Sequence, residues 1–183
     1  MSKIKDIIQS SINVKQQVLQ SEELINTIEK IVNVIVNSFK NGKRVYFCGN
    51  GGSAADAQHL AAEFSGRFYT DRKALPAEAL HCNTSYLTAV ANDYGYDVVY
   101  SRIIDGIGQE GDVLVGLSTS GNSKNIINAF EKAREKKIVT VGFTGETAEE
   151  RVIVCVSRGP GLITKKSIIS AKSVHPPGVL SEK

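Results

Sequence analysis

At 183 residues the chain is long enough for one domain with a sizeable core. Its 42% hydrophobic and 22% charged content is ordinary for a globular protein, and the net charge of +3, from 22 basic and 19 acidic residues, is spread along the sequence. This argues against a nucleic-acid binder, which shows a clustered basic face; the lack of Trp and 7% aromatic content offer no base-stacking platform. No apolar run approaches the roughly 18 residues of a membrane span, so no membrane or nucleic-acid partner is expected.

The start, MSKIKDIIQSS, has no long apolar core, so a secretory signal is not expected. Cys48, Cys82 and Cys155 are odd in number and lack C-x-x-C spacing. They read as buried, reduced thiols of a cytoplasmic protein.

The first forty residues read as helical. Ile4, Ile7, Ile8, Ile12 and Val18 form a rough apolar stripe. Ser21 then offers an N-cap, with Glu22 and Glu23 in the first turn where carboxylates favour the helix dipole. Leu24, Ile25, Ile28, Ile31, Val32, Ile35 and Phe39 follow at helical spacing, and Asn41-Gly42 closes the helix. Val34 and Val36 widen its apolar face beyond one stripe, which fits either a deep core or a subunit contact. The period then changes. Arg44–Cys48 reads as a buried strand, Ser53–Phe64 as a helix and Ala77–His81 as a short strand. Thr84 caps a helix over Ser85–Ala91, and another over Val98–Ile107 leads to the turn Gly108–Gly111. Asp112–Leu117 is a strand, Ser123–Lys136 a helix, Ile138–Thr144 a strand and Arg151–Ser157 the last strand.

Short apolar strands alternating with helices predict an α/β three-layer sandwich, a parallel five-stranded sheet flanked by helices. No internal repeat or linker divides the chain. It reads as a single domain over 1–183, with a helical segment over 1–42, an α/β core over 43–157 and a tail over 158–183.

In such sheets ligands sit outside the carboxyl ends of the strands, where two loops fall here. Ser118–Ser123 (STSGNS) follows a strand and opens a helix. Its hydroxyls, the bend at Gly121 and the unpaired N–H groups of the helix start would cradle a phosphate without Lys or Arg; an ordinary Ser/Asn-capped turn would look the same. Gly49–Ser53 (GNGGS) lets a ligand approach the backbone, though it is neither a dinucleotide fingerprint nor a Walker loop. His59 and Glu63, four residues apart, share one helix face and can bind a metal or place a base beside a proton shuttle; a solvated pair is the plainer alternative. Arg67 reads as a surface charge and Asn92-Asp93 as a capping turn unless a site claims them.

Taken together, FCGNGGSAADAQHLAAEFSGR, LTAVANDYGY and GDVLVGLSTSGNSKNI closely resemble the sedoheptulose 7-phosphate isomerase (phosphoheptose isomerase) family of sugar-isomerase (SIS) domains, over roughly Met1 to Gly145. The resemblance implies a homotetramer that interconverts sedoheptulose 7-phosphate and D-glycero-D-manno-heptose 7-phosphate through an enediol, at the head of activated-heptose synthesis for lipopolysaccharide or capsule. It implies that Ser118, Thr119, Ser120 and Ser123 hold the phosphate, and that Asn50, Gly51 and Gly52 line the sugar site with Arg67, Asn92 and Asp93 nearby. Glu63 matches the family's catalytic base, and His59 and Glu63 match positions that bind one zinc ion per subunit. On this reading the glycines let the substrate lie against the backbone, and the helix behind them aims His59 and Glu63 at it.

After Gly145 the pattern departs. The family's C-terminal helix carries a motif like R-I-Q-E-x-H and a further His, completing the zinc site and supplying the second acid/base. Here no Gln follows Gln109, and the only remaining His, His175, precedes Pro176-Pro177. Gly159-Pro160-Gly161 reads as a turn and Ile163–Val174 as weakly amphipathic. Three explanations stand: His175 substitutes for the missing ligand; the chain is a non-catalytic SIS-domain protein that binds phosphosugars or regulates a partner; or an altered reading frame replaced the C-terminal helix.

Overall fold

The structure is a computed structural model and describes residues 2–144 together with the backbone of strand Ile153–Ser157. Helices α1 (Lys3–Gln20) and α2 (Glu22–Lys40) lead into β1 (Val45–Gly49), α3 (Gly52–Ser65), β2 (Ala77–Ala79) and α4 (Thr84–Tyr94). A 3₁₀ turn, Tyr96–Val98, then joins α5 (Val99–Ile107), β3 (Val113–Ser118), α6 (Lys124–Glu135), β4 (Val139–Thr144) and β5 (Ile153–Ser157). His175, the turn expected at Gly159–Gly161 and the segment Ile163–Val174 lie outside the described residues.

The sheet order is β2-β1-β3-β4-β5, with helices on both faces as expected. Strands β1 to β4 pair in parallel, whereas β5 runs antiparallel to β4, with Thr144 opposite Ile153 and Thr140 opposite Ser157. The all-parallel expectation thus fails at the last strand. A parallel return needs a crossover of about a dozen residues or more, and only positions 145–152 separate β4 from β5.

The period-2 alternation of the strands divides the core. Val45 and Phe47 of β1 face one cluster with Leu24, Ile31, Ala57, Val113, Val115 and Val141, on the α2 and α3 side. Tyr46 and Cys48 face the other, with Tyr100, Ile104, Leu114, Ile126 and Phe130, on the α5 and α6 side. Because both faces are covered, β1 is buried along its whole length.

Local chemistry fixes the element ends. Ser21 accepts from the backbone N–H of Leu24, as expected of an N-cap. The cap of α4 is Asn83 rather than Thr84: its side chain accepts from the N–H of Tyr86, and Thr84 is already helical. β2 ends at Ala79, short of His81. Asp112, 2% exposed, accepts from the backbone N–H of Arg44 (2.9 Å) and of Gln109 (2.8 Å), fastening the turn before β3 to the start of β1. Such pairing is what a buried carboxylate requires.

Helix α1 buries no residue. Ile4, Ile7, Ile8 and Ile12 are exposed, as are Ile28, Val32 and Val36 on α2, while Leu24 and Ile31 face the core. The wide apolar face of α2 is therefore shared between the core and an open surface.

Candidate active site

After β1 the chain moves outward to β2, then returns past β1 to β3. This reversal makes a crevice beyond the carboxyl ends of β1 and β3, which pair Gly49 with Leu117. The two loops singled out by sequence follow these strands.

In the serine loop the Ser118 side chain is nearly buried, with its Oγ 3.0 Å from Ser123 Oγ. The Gly121 N–H donates to the Ser118 carbonyl (3.0 Å), and the Asn122 N–H to Ser120 Oγ (3.2 Å), with Gly121 at φ +66°. Thr119 and Ser120 are exposed. Ser123 sits at the N-cap of α6 but its hydroxyl does not cap the helix. The first α6 bonds are donated by Ile126 and Ile127 to the Ser123 carbonyl, so the N–H groups of Lys124 and Asn125 lie ahead of the ladder. Hydroxyls and helix-start N–H groups thus converge without a Lys or Arg in the loop, an arrangement suited to a phosphate.

In the glycine loop, Gly51 takes φ +55°, ψ −121° as the N-cap of α3, a conformation that favours glycine. The Tyr100 hydroxyl donates to the Gly49 carbonyl through a short hydrogen bond. Burial pushes the Tyr100 phenol well above its usual range, so it stays a neutral donor. Asn50 and Asn125 exchange amide hydrogen bonds: Asn50 Nδ2 donates to Asn125 Oδ1 (3.0 Å) and Asn125 Nδ2 to Asn50 Oδ1 (2.8 Å). The Tyr96 hydroxyl also donates to Asn50 Oδ1 (3.4 Å). The structure therefore brings Asn50 and the loop of Ser118 and Ser123 together. Sequence reasoning missed Asn125, Tyr96 and Tyr100, since an Asn inside a helix and two tyrosines carry no motif of their own.

The pair on α3 stands apart. His59 Nε2 lies 3.4 Å from Glu63 Oε1, with the His side chain largely exposed and that of Glu63 mostly covered. With a rise of about 1.5 Å per residue, His59 and Glu63 lie about 10 Å and about 16 Å along α3 from Gly52. Within one chain, then, α3 carries them away from the glycine loop along its axis. Arg67 is exposed just past the C-cap Gly66. Asn92 and Asp93, near the end of α4, are exposed and bonded to each other (Asn92 Nδ2 to Asp93 Oδ1, 2.9 Å). Among the described residues, no hydrogen bond or ion pair is seen between Arg67, Asn92 or Asp93 and the serine loop.

The end of α3 is held by Arg72, which sequence reasoning did not single out. Its guanidinium donates to the carbonyls of Glu63 (2.7 Å) and Phe64 (2.8 Å), groups left open by the end of the helix. We expect Arg72→Ala to destabilise the domain by about 1–3 kcal/mol, since charged donors are removed from partly buried acceptors. Chemical denaturation checks the loss, and amide hydrogen exchange should speed up first at Leu75, whose N–H donates to the same Phe64 carbonyl (3.1 Å).

For zinc, the donor chemistry of His59 and Glu63 suits the ion, but the described residues contain no group of three His, Cys, Asp or Glu able to hold a metal. Zinc sites take at least three protein ligands, so this pair alone is not a zinc site.

Cys48 is buried, as expected, and burial pushes its thiol up; Cys82 is exposed, contrary to expectation, because β2 ends before it. His81 has a buried Nδ1 with no hydrogen-bond partner among the described residues, and burial holds its imidazole below the usual value of 6.5. The unfolded chain therefore takes up this proton at a higher pH than the folded one, and acidification through pH 6.5 favours unfolding. Between about pH 7 and about pH 5 the melting temperature should fall more steeply for the wild type than for His81→Gln. Parallel pH profiles would contradict this.

A cleft of about 860 Å³ opens at the opposite, amino-terminal end of the strands, lined by Val34, Asn41, Lys43, Gly111, Lys137 and Val139 among others. Lys43 and Lys137 follow the carboxyl ends of α2 and α6, where cations complement the helix dipole.

The SIS domain family model matches residues 8–145. The chain is 51% identical over 152 residues to a phosphoheptose isomerase of Aneurinibacillus thermoaerophilus, covering 83% of this chain and 77% of that one. It also resembles two solved structures. That of a phosphoheptose isomerase from Neisseria gonorrhoeae is 40% identical with a TM-score of 0.73, over 79% of this chain and 74% of that one. That of a phosphoheptose isomerase from Francisella tularensis is 33% identical with a TM-score of 0.75, over 80% and 76%. The matched region holds both loops of the crevice and all of α3, and the chain belongs to the phosphoheptose isomerase family of SIS-domain proteins.

Proposed function

We propose that the chain interconverts sedoheptulose 7-phosphate and D-glycero-D-manno-heptose 7-phosphate, feeding activated-heptose synthesis for lipopolysaccharide or capsule. The observation that carries this is the crevice at the strand-order reversal, where hydroxyls of Ser118 and Ser123 and the open N–H groups of α6 adjoin a glycine loop tied to them through Asn50 and Asn125. The phosphate lies on Ser118, Thr119, Ser120 and Ser123, and the sugar lies along Asn50, Gly51 and Gly52. Remote phosphate binding positions the reacting carbons.

Glu63 acts as the base that takes the carbon-bound proton and returns it to the adjacent carbon of the enediol. His59, 3.4 Å from it, is the adjoining group able to relay protons at the oxygens. With Glu63 about 16 Å along α3 from Gly52, a base supplied by a neighbouring subunit is the arrangement we propose. A homotetramer built through the exposed apolar faces of α1 and α2 is the assembly that fits. Arg67, Asn92 and Asp93 then border the composite site. Zinc bound at His59 and Glu63 would polarise the substrate carbonyl, but it needs donors from beyond the described residues of one chain, and no step above depends on it. The activity is placed in the cytoplasm, in keeping with the free thiols of Cys48 and Cys82; no helix among the described residues is long and apolar enough to cross a membrane.

Incubation of the protein with sedoheptulose 7-phosphate, with and without zinc, followed by NMR detection of the aldose, tests the proposal. Formation of heptose 7-phosphate is expected. A folded protein that binds the ketose but never forms aldose would leave a phosphosugar-binding protein in its place.

A further inference from the structure

We infer that Asn125 is a positioning residue for the isomerase reaction, setting the distance between the phosphate loop and the sugar-facing glycine loop. The inference rests on the isomerase reading above. Asn125 lies in the first turn of α6, directly after the serine loop, and is 3% exposed. A buried Asn in a first helical turn ordinarily satisfies its amide locally. This one instead reaches across the crevice and pairs with Asn50, 75 positions away, through two hydrogen bonds.

Asn50 Oδ1 accepts from both Asn125 Nδ2 (2.8 Å) and the Tyr96 hydroxyl (3.4 Å). Asn50 Nδ2 is spent on Asn125 Oδ1. On either side the backbone is held as well: the Gly49 carbonyl by the Tyr100 hydroxyl, and the 3₁₀ turn by Asn128 Nδ2, which donates to the Asp97 carbonyl (2.9 Å). The first turn of α6, the glycine loop and the turn after α4 thus form one bonded set with Asn125 and Asn50 at its centre. Energy gained by binding the phosphate can position the reacting carbons only if the two loops keep a fixed separation. The Asn125–Asn50 pair supplies that constraint, and the Asn125 side chain acts through Asn50.

The test compares wild type, Asn125→Leu, Asn50→Ala and the double variant, each checked for folding by its melting temperature. Titration calorimetry measures affinity for inorganic phosphate, which engages the serine loop alone, and for sedoheptulose 7-phosphate, which spans both loops. Asn125→Leu is expected to bind inorganic phosphate like the wild type and to bind the sugar phosphate about tenfold more weakly. The double variant should bind the sugar phosphate no more weakly than Asn50→Ala, because the second substitution removes a partner already lost. Equal weakening toward both ligands, or additive losses in the double variant, would reduce Asn125 to a structural residue and overturn the inference while leaving the isomerase reading intact. Unchanged sugar-phosphate affinity in Asn125→Leu would do the same. A wild type that binds no sugar phosphate would overturn the isomerase reading, and this inference with it.

Discussion

Glu63→Gln is expected to leave binding of sedoheptulose 7-phosphate nearly unchanged while lowering its isomerisation by about two to four orders of magnitude, the usual contribution of a positioned general base. Glutamine keeps the size and hydrogen-bonding reach of the side chain but cannot accept the carbon-bound proton. The effect belongs in kcat, since the group is needed only once the substrate is seated. The placement of Glu63 along α3 adds a second, sharper outcome. If the base serves a neighbouring subunit's loops, mixing Glu63→Gln protein with a separately inactive serine-loop variant, such as Ser118→Asp, should recover activity after subunit exchange. Some sites in the mixed tetramer then pair an intact Glu63 with an intact loop. A mixture that stays as inactive as its components would place base and loop in the same subunit and contradict the composite site.

Gly49→Ala is expected to be the most damaging single-methyl addition in the crevice. A Cβ on Gly49 would collide with the backbone carbonyl of Ser53, with that carbonyl carbon 2.6 Å and the Ala54 nitrogen 3.0 Å away. These are backbone atoms of the first turn of α3, so no side chain can swing aside. Either β1 shifts, breaking its register with Leu117 and the Tyr100 hydrogen bond, or the start of α3 is pushed out. Overpacking of this kind costs about 1–3 kcal/mol or more. Because the strain falls on the turn that presents Asn50, Gly51 and Gly52, affinity for the sugar phosphate should fall with stability. Gly42→Ala is the useful contrast. Gly42 has φ +68° but nothing within 4 Å of an added Cβ, so it should lose stability without losing affinity. A Gly49→Ala protein that melts and binds like wild type would show that the β1–α3 turn has more room than its geometry implies.

The sequence by itself determined the alternation of strands and helices, the two loops of the crevice and the i, i+4 pair on α3, because each depends on local spacing. Short continuous apolar runs make strands buried on both faces, 3.6-residue spacing makes a helix, and Gly51 and Gly121 mark positions where φ is positive. The resemblance carried by those strings also implied a phosphate role for the serine loop. Tertiary structure decided what depends on chain length and on separation in space. The direction of β5 followed from the short 145–152 connection, which the all-parallel expectation did not weigh. The Asn50–Asn125 pair, the Tyr100 clamp and the Arg72 cap join residues that no periodicity links, so they become visible only when the chain is folded. The same holds for Glu63. Its helix face was legible from spacing, but the direction in which α3 carries it, away from its own glycine loop, is fixed by how that helix packs back along β1 and β2.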